Sequence, residues 1–347
     1  MGLNIMKNFA ITGVGGYIAP RHLKAIKETE NDLLAAIDPH DSVGVLDGYF
    51  PRANFFTEFE RFDRHIEMLR RSKKGKRVDY LSICSPNYLH DAHIRFALRI
   101  GANVICEKPL VINPWNLEAL QLLEEESGCQ INTVLQLRLH PSLIDLKKKL
   151  LNTNKKVNVS LTYITSRGKW YEYSWKGNNE KSGGIVTNIG IHFFDLLIWL
   201  FGDVLVNQVH LYNKKKAGGF IELKNAYVQW FLSIDMNDVP TEELNKGRLT
   251  YRSMKVEGEE VQFNDGFTEL HTNVYKEILA GNGFRLKDAY PSIELVHNIR
   301  KSPLYSGNET MHYMTRKYIN REVIIPAYRV SDKSLNYNKE LEQKVKV

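Results

Sequence analysis

The sequence predicts an α/β protein, with an N-terminal doubly wound Rossmann domain and a C-terminal α+β domain built on an open, mostly antiparallel sheet. Two observations lead there. Short apolar strands alternate with helical patterns over about the first 130 residues, which calls for right-handed crossovers and a parallel sheet. From Val157 onward the pattern changes to alternating apolar and polar residues, the mark of antiparallel strands with one wet face. At 347 residues the chain is too long for one ordinary domain. The expected division is residues 1–137 for the Rossmann domain, 138–330 for an α+β domain carrying substrate binding and oligomerisation, and 331–347 for a charged tail.

Composition narrows the class. Hydrophobic residues make up 43% and charged residues 25%, the balance of a globular chain rather than a disordered one. No run approaches the ~18 unbroken apolar residues of a membrane helix, and the N-terminus lacks a signal-peptide pattern. A cytoplasmic location without a membrane partner is therefore expected. The net charge of +7 comes with lysine clusters at Lys73-Lys74, Lys147-Lys148-Lys149 and Lys214-Lys215-Lys216. No nucleic-acid motif accompanies them, so they read as solvated surface and no nucleic-acid partner is expected. Cys84, Cys106 and Cys129 have no CxxC spacing, which suggests neither zinc nor a disulfide framework.

In chain order, the strand at Phe9-Ala10-Ile11-Thr12 runs into Gly13-Val14-Gly15-Gly16-Tyr17-Ile18-Ala19 and a helical pattern. Strand, glycine turn and helix form the setting of a dinucleotide loop, where backbone approaches a pyrophosphate at a helix N-terminus. Gly13, Gly15, Gly16, Tyr17 and Ile18 are the loop's candidate cofactor contacts. Ile18 stands where a third glycine is expected, so the turn should be one residue longer. The second strand ends in Asp38, at a spacing suited to the ribose hydroxyls; the alternative is a turn residue or a cap before Ser42. A carboxylate there repels a 2′-phosphate, which favours NAD over NADP.

A helix over 58–71 leads to a strand over 78–84, and Ser85-Pro86-Asn87 then opens a helix with His90 and His93. One of these histidines is expected to face the pocket and the other solvent; without further ligands the pair is no metal site. The next strand, 102–106, stops in Glu107-Lys108-Pro109. Pro109 cannot extend a ladder, so Lys108 should sit at the sheet's carboxyl edge beside the glycine loop and the Ser85 turn. Asn113 and Pro114 start a helix to about Ser127, and 130–135 is the last strand of this half.

In the second half, strands are expected at 157–164, 204–212, 220–223, 227–234, 248–256 and 260–263, and a last one at 321–326. An open sheet of this kind needs cover on its outer face, so self-association there is expected. After the first strand comes an aromatic and basic loop, with Arg167, Lys169, Trp170, Tyr171, Tyr173, Trp175 and Lys176. Rings that stack and cations that meet phosphates or carboxylates suit an anionic, ring-bearing ligand. The apolar helix that follows carries Asn188 and His192, four apart and on one face. His192 could be a core histidine or, facing a pocket, a general base.

Taken together, the glycine loop with His22, Ser85-Pro86-Asn87 with His90, Glu107-Lys108-Pro109 and Gly190-Ile191-His192-Phe193-Phe194-Asp195 resemble the glucose-fructose oxidoreductase and inositol dehydrogenase family. The resemblance implies NAD as cofactor, with Ser85, Pro86, Asn87, His90, Glu107 and Lys108 among its contacts. It also implies Lys108 and His192 as the catalytic pair, the base being one or the other. The aspartate usual four residues before the histidine is Asn188 here. Residues 165–184 and Gln136-Leu137-Arg138 are similar to members that oxidise a UDP-linked N-acetylaminouronic acid for surface-polysaccharide (O-antigen) sugar synthesis. That likeness implies oxidation of the C3 hydroxyl, 2-oxoglutarate as second substrate, a downstream aminotransferase and a homotetramer; the alternatives within the wider family are a dehydrogenase of another sugar or polyol and a non-catalytic NAD-binding regulator. The implied substrate contacts are Gln136, Arg138, Arg167, Trp170, Tyr171, Lys176, Asn188 and His192, with Arg138 on the uronate carboxylate.

Overall fold

The computed structural model describes residues 6–72, 76–151, 155–263 and 269–322. Its first half is a six-stranded sheet of β1 (Asn8–Thr12), β2 (Asp32–Ile37), β3 (Asn54–Phe56), β4 (Tyr80–Ile83), β5 (Asn103–Cys106) and β6 (Ile131–Thr133) in the order β3-β2-β1-β4-β5-β6. Every pair is parallel. The doubly wound prediction holds. Register pairs Thr12 with Ile37 and Ile83, and Ile83 with Cys106, so that Gly13, Asp38, Ser85 and Glu107 emerge at one edge. Strand order reverses between β1 and β4, the crevice where such sheets take ligands.

The second sheet contains β7 (Val157–Thr165), β8 (Val204–Tyr212), β9 (Lys216–Leu223), β10 (Ala226–Ser233), β11 (Thr250–Val256) and β12 (Glu259–Glu260), ordered β12-β11-β7-β10-β9-β8. Only β7 and β10 run parallel. β9 starts four residues before the expected 220. Gly218 and Gly219 hide its alternation, and a Cβ on Gly219 would lie 2.8 Å from the Trp230 ring across the ladder. The strand expected at 260–263 is reduced to the two residues of β12.

The helix Ile191–Phe201 and the helix Leu286–Lys301 bury their apolar faces in one core with the inner face of this sheet. The span Asn179–Phe201 is apolar enough to cross a bilayer by composition, yet 83% of its most apolar window is buried in the protein. Part of the outer face is covered by the chain itself. Met314 of the helix Tyr313–Glu322 packs with Ile164, Leu211 and Phe231, and Tyr318 of the same helix stacks on Phe231. Arg321 and Glu322, expected to begin a final strand, belong to that helix. The rest of that expected strand, and the expected tail 331–347, lie outside the described residues.

One helix returns to the first sheet. Leu270–Leu279 sets Val274, Tyr275 and Ile278 into a core with Phe9, Ile11, Leu23, Ile26 and Val134. The stretch expected to form the second domain, 138–330, thus completes the core of the first.

Candidate active site

At the first edge the backbone turns tightly. Gly13 has a φ of +76° and its N–H donates to Ile37 O; a Cβ there would lie 2.6 Å from Ser85 N. A side chain is excluded both by conformation and by the neighbouring turn. The Gly15 N–H donates to Asp38 Oδ2 at 2.9 Å, and the His40 N–H to Oδ1 at 2.9 Å. The helix begins at Ala19, one residue later than in the shorter loop, as expected. Tyr17 is exposed, and Ile18 packs at the edge of the core beneath the loop. The amides of Gly13, Val14, Gly15 and Gly16 are thus engaged within the turn, and the helix N-terminus that follows and the Asp38 carboxylate stand at the sheet edge where a dinucleotide's pyrophosphate and ribose fit.

His90 is turned away from that crevice. Its Nδ1 lies 2.7 Å from Pro109 O and its Nε2 2.8 Å from Ser85 O, so the ring ties the Ser85 turn to the loop after Lys108 and has no nitrogen left for a cofactor. This corrects the expected contact. His93 is buried as well, rather than facing solvent: it pairs with Ser85 Oγ, stacks on Phe59, and burial pushes its pKa down to about 4. Asn87 reaches across the cleft and donates to Ser182 O at 3.0 Å. The Lys108–Pro109 peptide is cis.

Lys108, at the sheet edge, and His192, on the helix Ile191–Phe201, are both partly accessible. Burial, and then the charges of Lys176 and Arg167, lower the Lys108 pKa, while Glu107 raises it. Burial and the Lys108 charge hold His192 well below the ordinary histidine range. The structure therefore brings Lys108, His192, Arg167 and Lys176 into one electrostatic neighbourhood. Lys176 sits over the rings of Trp170 at 5.1 Å and Trp175 at 5.4 Å. Asn188, in a π-helical turn over Val186–Gly190, donates from Nδ2 to the buried Tyr171 hydroxyl at 2.9 Å. Such turns are frequent at functional sites. Gln136 is buried, and its Oε1 has no hydrogen-bond partner among the described residues.

Arg138 does not belong to this group. Its Nε and Nη2 donate to Asp195 at 3.0 and 2.7 Å, and its Nη1 to Asp288 Oδ1 at 3.2 Å. With both faces of the guanidinium engaged, it has no free fork for a uronate carboxylate, contrary to expectation. It clamps the His192 helix to the end of the first half.

Three comparisons bear on this geometry. Residues 7–134 match the model described as "Oxidoreductase family, NAD-binding Rossmann fold", and residues 148–232 match its "C-terminal alpha/beta domain". The WlbA (WbpB) dehydrogenase of Thermus thermophilus, solved with NAD and alpha-ketoglutarate, is 51% identical at a TM-score of 0.86, covering 89% of this chain and 99% of that one. The chain belongs to the Gfo/Idh/MocA oxidoreductase family. The same Thermus thermophilus enzyme, solved with NAD and UDP-GlcNAcA, superposes with a TM-score of 0.85 and 51% identity over 88% of this chain and 99% of that one. Glucose-6-phosphate 3-dehydrogenase of Bacillus subtilis is 26% identical over 215 residues, or 58% of this chain and 56% of its own length. The chain thus spans about half of that curated relative.

Membership of the family accounts for the glycine loop and the Glu107-Lys108-Pro109 edge but leaves one group unforeseen. His271, on the helix Leu270–Leu279, reaches Glu107 with Nε2 at 3.0 Å from Oε1, opposite His22 Nε2 at the same distance. Apolar residues at 270, 274, 275 and 278 carried the helical period that marks this element. Nothing local showed which sheet it would join.

Proposed function

We propose that the chain is an NAD-dependent dehydrogenase that oxidises the C3 hydroxyl of UDP-N-acetylglucosaminuronic acid to the 3-keto sugar, with 2-oxoglutarate regenerating the oxidised cofactor. The observation that carries this reading is the convergence of Lys108, Arg167 and Lys176: the Arg167 and Lys176 charges both act on Lys108, that of Arg167 also acts on Lys176, and Lys176 lies over the rings of Trp170 and Trp175. Such a cluster is costly without an anionic ligand and suits a nucleotide-linked acid. The 51% identity to an enzyme solved with NAD and UDP-GlcNAcA, and with alpha-ketoglutarate, supports it.

NAD, when bound, supplies the hydride acceptor, and Gly13, Gly15, Gly16 and Asp38 would hold it. The remaining work falls to side chains of this chain. His192, kept neutral by burial and by Lys108, takes the hydroxyl proton on an imidazole nitrogen. Lys108 offers its ammonium to the oxygen as negative charge develops there, a role whose loss costs about 2.7–4 kcal/mol of barrier in comparable sites. Lys176 and Arg167 meet the acid and diphosphate groups, and the Asn188–Tyr171 pair orients a phenol where the family's usual carboxylate is missing. A homotetramer, a cytoplasmic setting and an aminotransferase that consumes the keto product belong to the same proposal.

The test is to incubate the purified protein with UDP-N-acetylglucosaminuronic acid, NAD and 2-oxoglutarate, and to measure 2-hydroxyglutarate and the keto sugar by mass spectrometry. Both products are expected from the wild type and neither from Lys108→Met or His192→Leu. A wild type that makes neither overturns the proposal.

A further inference from the structure

Glu107 immediately precedes Lys108, and its carboxylate is buried. Oε1 faces two imidazoles, His22 from the helix Ala19–Glu28 and His271 from the helix Leu270–Leu279, each through Nε2 at 3.0 Å. Oε2 accepts the backbone N–H of Lys108 at 3.3 Å. The imidazole hydrogen bonds hold the carboxyl well below its ordinary range despite its burial. An ionised carboxylate only accepts, so both Nε2 atoms carry hydrogen. The chain continues from His22 Nδ1 to the Tyr275 hydroxyl at 2.8 Å and from there to the Ser82 hydroxyl at 2.7 Å; a neutral His22 ring accepts at Nδ1 from Tyr275, whose oxygen then accepts from Ser82. The charge on Glu107 fixes the direction of the two imidazole bonds that reach it.

A buried polar cluster can serve packing alone. Its position argues for more. Around Lys108, the Arg167 and Lys176 charges act from the second half and the Lys108 charge in turn reaches His192, while among the described residues Glu107 is the negative group acting on Lys108. Around Glu107 itself stand the neutral thiols of Cys84 and Cys106, with Tyr275; His90 lies on the Lys108 side, and Arg21 faces His271 from outside. Removing one imidazole would leave the carboxylate with half its donors in a dry site, where an unpaired charge is most costly.

We propose that His271, with His22, is a positioning residue for the dehydrogenation: the two imidazoles fix Glu107 as the ionised counter-charge of Lys108 and so keep the Lys108 ammonium at the reacting hydroxyl. This rests on the function proposed above and adds to it a contribution from the distant end of the chain.

Three variants test it in the NAD-bound protein: His271→Gln, whose amide Nε2–H reaches the same place, His271→Leu, which donates nothing, and Glu107→Gln. His271→Leu should lower kcat for NADH formation from UDP-N-acetylglucosaminuronic acid by about tenfold or more with little change in KM. It should also move the Lys108 ammonium titration to lower pH, read by NMR on [15Nζ]lysine-labelled protein with the signal assigned by its loss in Lys108→Met. His271→Gln should recover most of both effects, and His271→Leu should add little in a Glu107→Gln background. Equal impairment in the Leu and Gln variants, an unmoved Lys108 titration, or full additivity with Glu107→Gln would each overturn the proposal. If the wild type makes no NADH from this sugar, the proposed function fails, and the Lys108 titration in the two His271 variants still decides the present inference.

Discussion

Replacing Arg138 by methionine separates a structural arginine from a substrate-binding one. The guanidinium is 8% exposed and makes two bonds to Asp195, one to the Asp288 carboxylate and one to the Asp288 carbonyl at 3.0 Å. Asp195 is only 2% exposed. Methionine fills the aliphatic volume but leaves that carboxylate without its cation, and breaking one side of a buried pair costs about 3–5 kcal/mol. The loss should be read by urea unfolding followed by circular dichroism. Its pH dependence follows from Asp195. Burial already raises this carboxyl above its ordinary value, and without Arg138 the rise is larger. A carboxyl with a raised folded pKa favours the native state at low pH and loses that advantage as pH rises through the folded value. The stability deficit of Arg138→Met should therefore be smaller near pH 4 than near pH 8. A deficit under about 1 kcal/mol, together with a large rise in KM for the sugar acid, would refute this account and restore Arg138 to the substrate.

Three other outcomes follow from the geometry. Gly13→Ala puts a Cβ 2.6 Å from Ser85 N at a positive φ; it should cost about 1–3 kcal/mol of stability and weaken NAD binding, both measurable by calorimetry. Arg167→Gln and Lys176→Gln should each raise KM for the sugar acid while leaving the NAD dissociation constant unchanged in equilibrium titrations. His93 and His312 are held neutral by burial, down to about 4 and about 3. A histidine with a depressed folded pKa loses stability as pH falls below its unfolded value, so the unfolding free energy should drop between about pH 6.5 and 4, by an amount of order 3 kcal/mol per residue. His93→Gln should flatten part of that slope, and an unchanged slope would contradict the burial argument.

What the sequence disclosed depended on how local each signal was. The glycine loop, Asp38 and the Glu107-Lys108-Pro109 edge were legible because a parallel sheet delivers every strand end to one rim, whatever lies between them. Asn188 and His192 were legible as one helical face. Arg138 was misjudged because its type and place suited a carboxylate, and the competing carboxylates, Asp195 and Asp288, lie 57 and 150 residues away. His90 failed for a similar reason: a histidine beside a cofactor turn looks the same whether its ring faces ligand or backbone. β9 was shortened because two glycines erase alternation, and the helix Tyr313–Glu322 was missed because the apolar run just after it suggested a strand.

The return of the helix Leu270–Leu279 also bears on how the protein is made. Synthesis is vectorial, yet the core around Phe9, Ile11 and Leu23 waits for Val274, Tyr275 and Ile278. At ~5–20 residues per second, the six strands of the first sheet leave the ribosome on the order of ten seconds before that helix. During that interval the nascent half carries an uncovered apolar face and a Glu107 that lacks His271. Chaperone attention should therefore fall on the early product, and a chain cut after the first sheet should be a poor binder of nucleotide even though it contains the whole glycine loop.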